Sequence, residues 1–212
     1  MSTISALCDR CAVLDRGKLI FVGDTEQAVS LYLNGQKGDR NTEFSLSGLK
    51  RPSGPDFPAH LERAAFPDRQ AGEFTTAEKL RLSVTWTARE ALPDLCLCVS
   101  LFYGGTAVGT YLSPAVSAGS AGRFTTEAAL DLSVLTPGMY TASCGLFAWT
   151  PEGLGTALDY VEQAFSFVIT RGQFHNDRWN HRFWGSVLLP EMELLSHRVR
   201  DTTDRRADRG KR

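Results

Sequence analysis

With 212 residues, 42% of them hydrophobic, and a formal net charge of −1, the chain can bury one or two cores and carries no global bias toward nucleic acid or anionic membrane. No apolar run approaches the roughly 18–20 residues of a membrane span, and no basic segment with an apolar stretch and cleavage site marks secretion. Five cysteines is an odd number in a chain too large to need staples, so reduced thiols in a cytosol are expected.

In chain order, the first expected element is a helix on which Ile4, Leu7 and Cys8 share one apolar face. Ala12-Val13-Leu14 is a short apolar strand ended by Asp15, Arg16-Gly17 supplies the turn, and Leu19 to Val22 returns as the second strand of a hairpin. Asp24 or Thr25 can N-cap a helix from about Glu26 to Leu33, with Ala28, Val29, Tyr32 and Leu33 on its buried side. A helix, a hairpin and a helix cannot bury a core alone. The run from Ile4 to Asp24, closed by Tyr32-Leu33, resembles the last part of an ABC-transporter ATPase domain. That resemblance implies that the ATP-hydrolysing motifs lie upstream of this chain. The phosphate-cradling G-x-x-x-x-G-K-[ST] loop is missing, Leu49-Lys50-Arg51-Pro52 follows the signature-like Ser45-Leu46-Ser47-Gly48, and Arg16 stands where a catalytic Glu would follow Val13-Leu14-Asp15. No ATP hydrolysis is expected from these residues. Cys8 and Cys11 form a C-x-x-C without a second pair at zinc-ribbon spacing, so they read as buried thiols.

Residues 35–58 are rich in Gly and Pro and read as a linker. A strand follows at Leu80, Leu82, Val84 and Trp86, with polar residues between them. Further strands are expected at Leu95–Tyr103, Ala107–Leu112, Phe124–Leu132, Tyr140–Trp149 and through Phe165, Phe167 and Ile169, with a small-residue loop at 117–122. About seven short strands with turn punctuation argue a β-sandwich. Leu135-Thr136-Pro137-Gly138-Met139-Tyr140 matches the tyrosine corner of immunoglobulin-like folds, where the hydroxyl bonds back to the backbone. Residues 196–212 hold seven Lys or Arg against three Asp with almost nothing apolar, and read as a disordered basic tail.

The order of these parts resembles the Wzt-type nucleotide-binding subunit of ABC exporters for O-antigen and related cell-surface polysaccharides. The residues that carry it are Leu80 to Trp86, the Pro137-Gly138-Met139-Tyr140 corner, Asp159 followed by Phe165-Ser166-Phe167-Val168, and Gly185-Ser186-Val187-Leu188-Leu189-Pro190. The resemblance implies a mainly β fold: an Ig-like antiparallel β-sandwich preceded by a small α/β remnant of an ABC ATPase domain. The corresponding divisions are residues 1–34 for the remnant, 35–58 for the linker, 59–195 for a carbohydrate-binding sandwich and 196–212 for the tail. It further implies non-catalytic recognition of a lipid-linked polysaccharide, with an ATPase domain, a membrane permease and a second copy of the chain as partners. The last strand can be exchanged between the two copies in that family, and the subunit is cytoplasmic, peripheral at the inner face of the plasma membrane through the transporter. The competing reading is a module that only dimerises or docks the ATPase subunits, without binding glycan.

A glycan site needs apolar ring faces and a few polar groups that fix hydroxyls. On the strand after the corner, Tyr140, Ala142, Cys144 and Leu146 should point inward. Met139, Thr141, Ser143, Phe147 and Trp149 should point outward. The site residues expected are therefore Trp149 and Phe147 as a stacking pair, Asp159 as a hydroxyl acceptor, and Tyr103 and Tyr111 on neighbouring strands. Packing under loops or at a dimer interface is the alternative for each aromatic. His175, Asp177 and His181 match no established metal spacing, no nucleic-acid module is recognised, and no Ser or Cys sits in a nucleophile-elbow context. No metal, cofactor or nucleic acid is expected.

Overall fold

The alternation of Leu80, Leu82, Val84 and Trp86 becomes an inner strand of one sheet in a computed structural model of the protein. All four side chains are buried, and the residues between them face solvent or are half-buried. The structure describes residues 41–52, 57–150, 153–170, 179, 181–190 and 195. In the N-terminal region it describes 4, 7–15, 17–25, 28–29 and 32.

Twelve strands run in chain order among the described residues: β1 Arg10–Asp15, β2 Lys18–Asp24, β3 Glu43–Ser45, β4 Ala59–Ala65, β5 Glu73–Phe74, β6 Lys79–Ala88, β7 Leu92–Tyr103, β8 Thr106–Leu112, β9 Val116–Ala118, β10 Gly122–Asp131, β11 Gly138–Thr150 and β12 Gly153–Ile169. They form three sheets. β1 and β2 make the N-terminal hairpin, turned at Gly17 with φ +79°. The sandwich packs the sheet β10-β6-β4-β3 against a larger one ordered β5-β12-β11-β7-β8, with β9 also on β7. Every pair is antiparallel except the short β5–β12 contact. This is the β-sandwich that the strand spacing predicts.

Leu61, Leu80, Leu82 and Val84 from one sheet and Leu97, Leu101, Leu146 and Val161 from the other lie in a single core. Six aromatic rings fill one end of it. Phe66 meets Phe44, Phe74 and Phe165 at 5.4–5.6 Å between centroids, while Phe74 meets Phe167, which stacks on Tyr140. Edge-on aromatic contacts of this kind add to their area burial. At the other side Trp86 stacks on Phe124 at 4.8 Å and donates its indole N–H to Thr126 Oγ1.

The corner behaves as its sequence requires. The Tyr140 hydroxyl, fully buried, donates toward the Thr136 carbonyl at 2.8 Å and also lies 3.1 Å from the Ser186 carbonyl. Gly138 is the only residue type that fits there: its φ is +151°, and a Cβ would fall 2.5 Å from Tyr103 Cε2. The corner also anchors the late segment. A short helix, His181–Trp184, leads into Ser186 and Val187, and Val187 bridges Leu135 while Leu188 N–H donates to the Val134 carbonyl. That segment lies against its own chain here, with Phe183 74% exposed and Trp184, Leu188 and Leu189 also open to solvent.

Three expectations are corrected. Residues 43–51, expected inside the linker, belong to the sandwich: β3 pairs with β4, and Leu46 is fully buried. Ser45 is therefore in a strand and Ser47-Gly48 in a turn, with no helix after them. β12 is much longer than the Phe165–Ile169 segment, because it continues the β11 hairpin through bulges that break its alternation. Cys8 is exposed and Cys11 half-buried where buried thiols are expected, whereas Cys96, Cys98 and Cys144 are buried; no cysteine is paired in a disulfide. Ile4, Leu7 and Cys8, expected to share an apolar helix face, are exposed, as are Leu14, Leu19 and Val22 of the hairpin; of the side expected to be buried after Thr25, Ala28 is buried, Val29 half-buried and Tyr32 exposed. His175, Asp177 and the basic tail lie outside the described residues.

Candidate functional site

The larger sheet has an inner face that builds the core and an outer face that ends at β8. On β11 the inner set is Tyr140, Ala142, Cys144 and Leu146, all fully buried. The register places Gly145 opposite Cys98 on β7 and Tyr160 on β12, and Cys98 opposite Leu112 on β8. One step along, Phe147 faces Cys96 and Ala157. On the other side of Gly145, Ser143 faces Ser100, which faces Thr110. These residues share the outer face.

Gly145 determines the shape of that face. A methyl at its Cβ position would fall 2.6 Å from Phe147 Cε2 and 2.8 Å from Tyr160 Cδ2. Both rings therefore lean over the bare glycine, Phe147 from its own strand and Tyr160 from β12, with centroids 6.2 Å apart and planes at 68°. Any side chain at 145 would push them off the sheet. The result is an aromatic platform lying low on a strand face, with both rings half-buried.

Beside the platform the face is lined by small side chains on β11 and β7, bordered on β8 by the exposed Leu112. Cys98 and Ser143 are buried although they point to the outer face, and Ser143 Oγ accepts from the Gln163 N–H at 3.3 Å. Burial pushes the Cys98 thiol up, with the Ser100 hydroxyl acting in the opposite direction. Ser100 and Thr110 share a hydroxyl hydrogen bond of 3.0 Å at the exposed end of this stretch. Rings at one side, hydroxyls at the other and small side chains between them can take a flat polar-edged molecule.

The five residues expected from sequence separate into two groups. Phe147 is in the platform. Trp149 is 41% exposed near the end of the same strand, beyond a bulge at Phe147. The other three face elsewhere. Asp159 pairs across β11 with the inward Leu146 and is 1% exposed. Its Oδ1 accepts from Arg51 Nε at 2.9 Å and its Oδ2 from the Leu61 N–H at 2.6 Å, so both oxygens serve to tie the two sheets. Arg51 also donates to the carbonyls of Leu46, Leu49 and Leu61, clasping the 46–51 turn to the sandwich.

Tyr103 lies at the corner, its ring stacked on His181 at 4.3 Å and tilted against Tyr140. His181 Nε2 is also 2.9 Å from Thr136 Oγ1. Tyr111 reaches inward and donates its hydroxyl to the Asp131 carbonyl at the end of β10; burial, then the Asp131 charge, pushes its phenol up. The residue that the sequence reading missed is Tyr160, the outward neighbour of Asp159. Its signal is Gly145-Leu146-Phe147, a glycine two positions from an outward aromatic, which predicts a ring lying over the gap but not which strand supplies the second ring.

The opposite sheet carries a shallow groove of about 470 Å³ lined by Phe44, Ser45, Glu62, Arg63 and Arg123 among others. Its charges are spent on each other: Arg123 Nε bonds Glu62 at 2.9 Å and Arg63 bonds Glu43. Among the described residues, no three His, Cys, Asp or Glu side chains gather as metal ligands, and no helix is long and apolar enough to cross a membrane.

No family model and no curated protein matches the chain. Among solved structures it is similar to one described as the C-terminal domain of Wzt, with a TM-score of 0.53 and 15% sequence identity. The match covers 79% of this chain and 96% of that one. At this identity the likeness shows a shared sandwich fold.

Proposed function

We propose that the sandwich is a non-catalytic glycan-recognition module of a polysaccharide ABC exporter, and that its outer β12-β11-β7-β8 face holds the sugar. The observation that carries this reading is the bare Gly145 under the Phe147 and Tyr160 rings. Pyranose rings present an apolar face of C–H groups, and aromatic faces take such surfaces while nearby hydroxyls fix orientation. The fold shared with the C-terminal domain of Wzt supports the placement in polysaccharide export.

In this reading the ligand is an O-antigen-type, lipid-linked polysaccharide, recognised before transport. Residues 1–34 are the end of an ATPase domain, and the exposed Leu7, Leu14, Leu19 and Val22 are the surface that such a domain covers. The chain works as a homodimer in the cytoplasm, held at the inner face of the membrane through the permease, and uses no cofactor. In this reading the chain's role is binding, not ATP hydrolysis.

A docking module without glycan binding is favoured by one observation, the run of exposed Phe183, Trp184, Leu188 and Leu189 behind the corner. The two readings separate in one experiment. The full chain is titrated calorimetrically with polysaccharide from the source organism, beside Phe147→Ala and Tyr160→Ala. Glycan recognition predicts binding that each variant weakens at unchanged dimer content. Docking alone predicts no heat of binding from any of the three proteins.

A further inference from the structure

Charge is distributed unequally between the two sheets. β5, β7, β8, β9, β11 and β12 contain Glu73, Asp94, Asp159 and Glu162, and not one Lys, Arg or His. The other sheet carries Arg63, Lys79, Arg81 and Arg123 interleaved with its acids. Of the four acids in the larger sheet, Asp159 is buried against Arg51. Glu162 and Asp94 are exposed. Glu162 follows Tyr160 by two residues on β12, at the bulge beside Gln163 (φ +50°), and Asp94 precedes Cys96, the strand partner of Phe147, by two residues at an irregular point of β7 where its own φ is +49°.

We propose that the outer face selects an electrically neutral saccharide and rejects sugars bearing carboxylate or phosphate. The proposal rests on the reading of this face as a glycan site and adds the substrate class. A phosphate or uronate is recognised by Arg, Lys or a helix N-terminus. These strands offer no basic side chain, and beside the platform the outer face continues through Cys98, Ser143, Ser100, Thr110 and the exposed Leu112. An anionic sugar laid across it would meet two exposed carboxylates with no compensating cation from the sheet. A neutral ring meets C–H-accepting aromatic faces at Phe147 and Tyr160 and the hydroxyl pair of Ser100 and Thr110.

The test uses the full chain on a panel of neutral hexose, deoxyhexose and N-acetylhexosamine oligosaccharides, each beside a uronic-acid or phosphorylated counterpart. Mannotetraose against tetramannuronate is one such pair. The expected result is retention of neutral members, with their charged counterparts bound at least tenfold more weakly near 20 mM salt. Glu162→Lys and Asp94→Lys together should reduce that discrimination, and the change should fade at about 1 M salt, where screening is nearly complete. Equal or tighter binding of acidic members by the unaltered protein would overturn the proposal and leave the glycan reading intact. Discrimination unchanged in the double Lys variant would overturn its electrostatic basis. Binding of no member would overturn the glycan reading itself, and the substrate class with it.

Discussion

Asp159→Ala should unfold the sandwich more easily than any change on its outer face. The carboxylate is 1% exposed, and its partner Arg51 is 9% exposed. Removing it leaves a nearly buried guanidinium without a counter-charge and the Leu61 N–H without its acceptor. Breaking a buried pair by removing one partner typically costs about 3–5 kcal/mol. The four carbonyls that still accept from Arg51, of Leu46, Ser47, Leu49 and Leu61, place the cost toward the lower figure. A loss of about 3 kcal/mol corresponds to a fall in Tm of roughly 10 °C for a domain of this size. Urea unfolding followed by tryptophan fluorescence reads it directly, since Trp86 is buried against Phe124 in the same core. In the double variant with Arg51→Met, the cost should be well below the sum of the two single costs, because no unpaired charge remains. A single-variant loss under about 1 kcal/mol would refute the clasp and return Asp159 to the list of ligand-binding candidates.

Gly145→Ala should lower stability by no more than about 1 kcal/mol, because the displaced Phe147 and Tyr160 rings can swing into solvent. The same change should abolish most glycan binding, measured by calorimetry on folded protein. Trp149→Ala should shift stability by only about 0.5 kcal/mol, as exposed positions do, and should weaken glycan binding by on the order of 1 kcal/mol. Tyr140→Phe should destabilise by about 1–3 kcal/mol, since it leaves the buried Thr136 carbonyl without the hydroxyl that donates to it at 2.8 Å. Burial pushes the Tyr140 phenol up to about 12 from an ordinary 10.0. A raised folded value means that its stabilisation is complete below pH 10 and is lost as pH climbs through 12. Absorbance titration at 295 nm should lose a tyrosine titrating near 12 when Tyr140 is replaced by Phe, while the raised Tyr111 phenol remains.

What could be read from sequence follows from where alternation is clean. β6 and β10 pair residue for residue without a bulge from Lys79–Asp131 to Ala88–Gly122, so Leu80 to Trp86 disclosed their inner face at once. The corner was equally legible, because Gly138 and Tyr140 are fixed by backbone conformation and one hydrogen bond. The partner strand of β11 was not. Bulges fall between Ala142 and Cys144, Leu146 and Phe147, and Phe147 and Trp149, and each resets which neighbour on β12 faces out. Asp159 looked available for that reason, when Tyr160 holds the outward position. β7 is apolar on both faces, so nothing in its pattern shows that Tyr103 ends at the corner under His181. β3 and β4 were obscured by the Gly and Pro residues around them, and the contacts that hold that turn, the Arg51–Asp159 pair 108 residues apart among them, are long-range and leave no local pattern.

The account stands on the outer face being where a saccharide sits. Amide chemical-shift mapping of the full chain during titration with polysaccharide from the source organism tests it most directly. The predicted shifts cluster at Gly145, Phe147 and Tyr160 and extend toward Ser100 and Thr110, leaving Glu62, Arg63 and Arg123 on the opposite sheet unmoved. Shifts centred on that opposite groove, or none anywhere at saturating glycan, would contradict it.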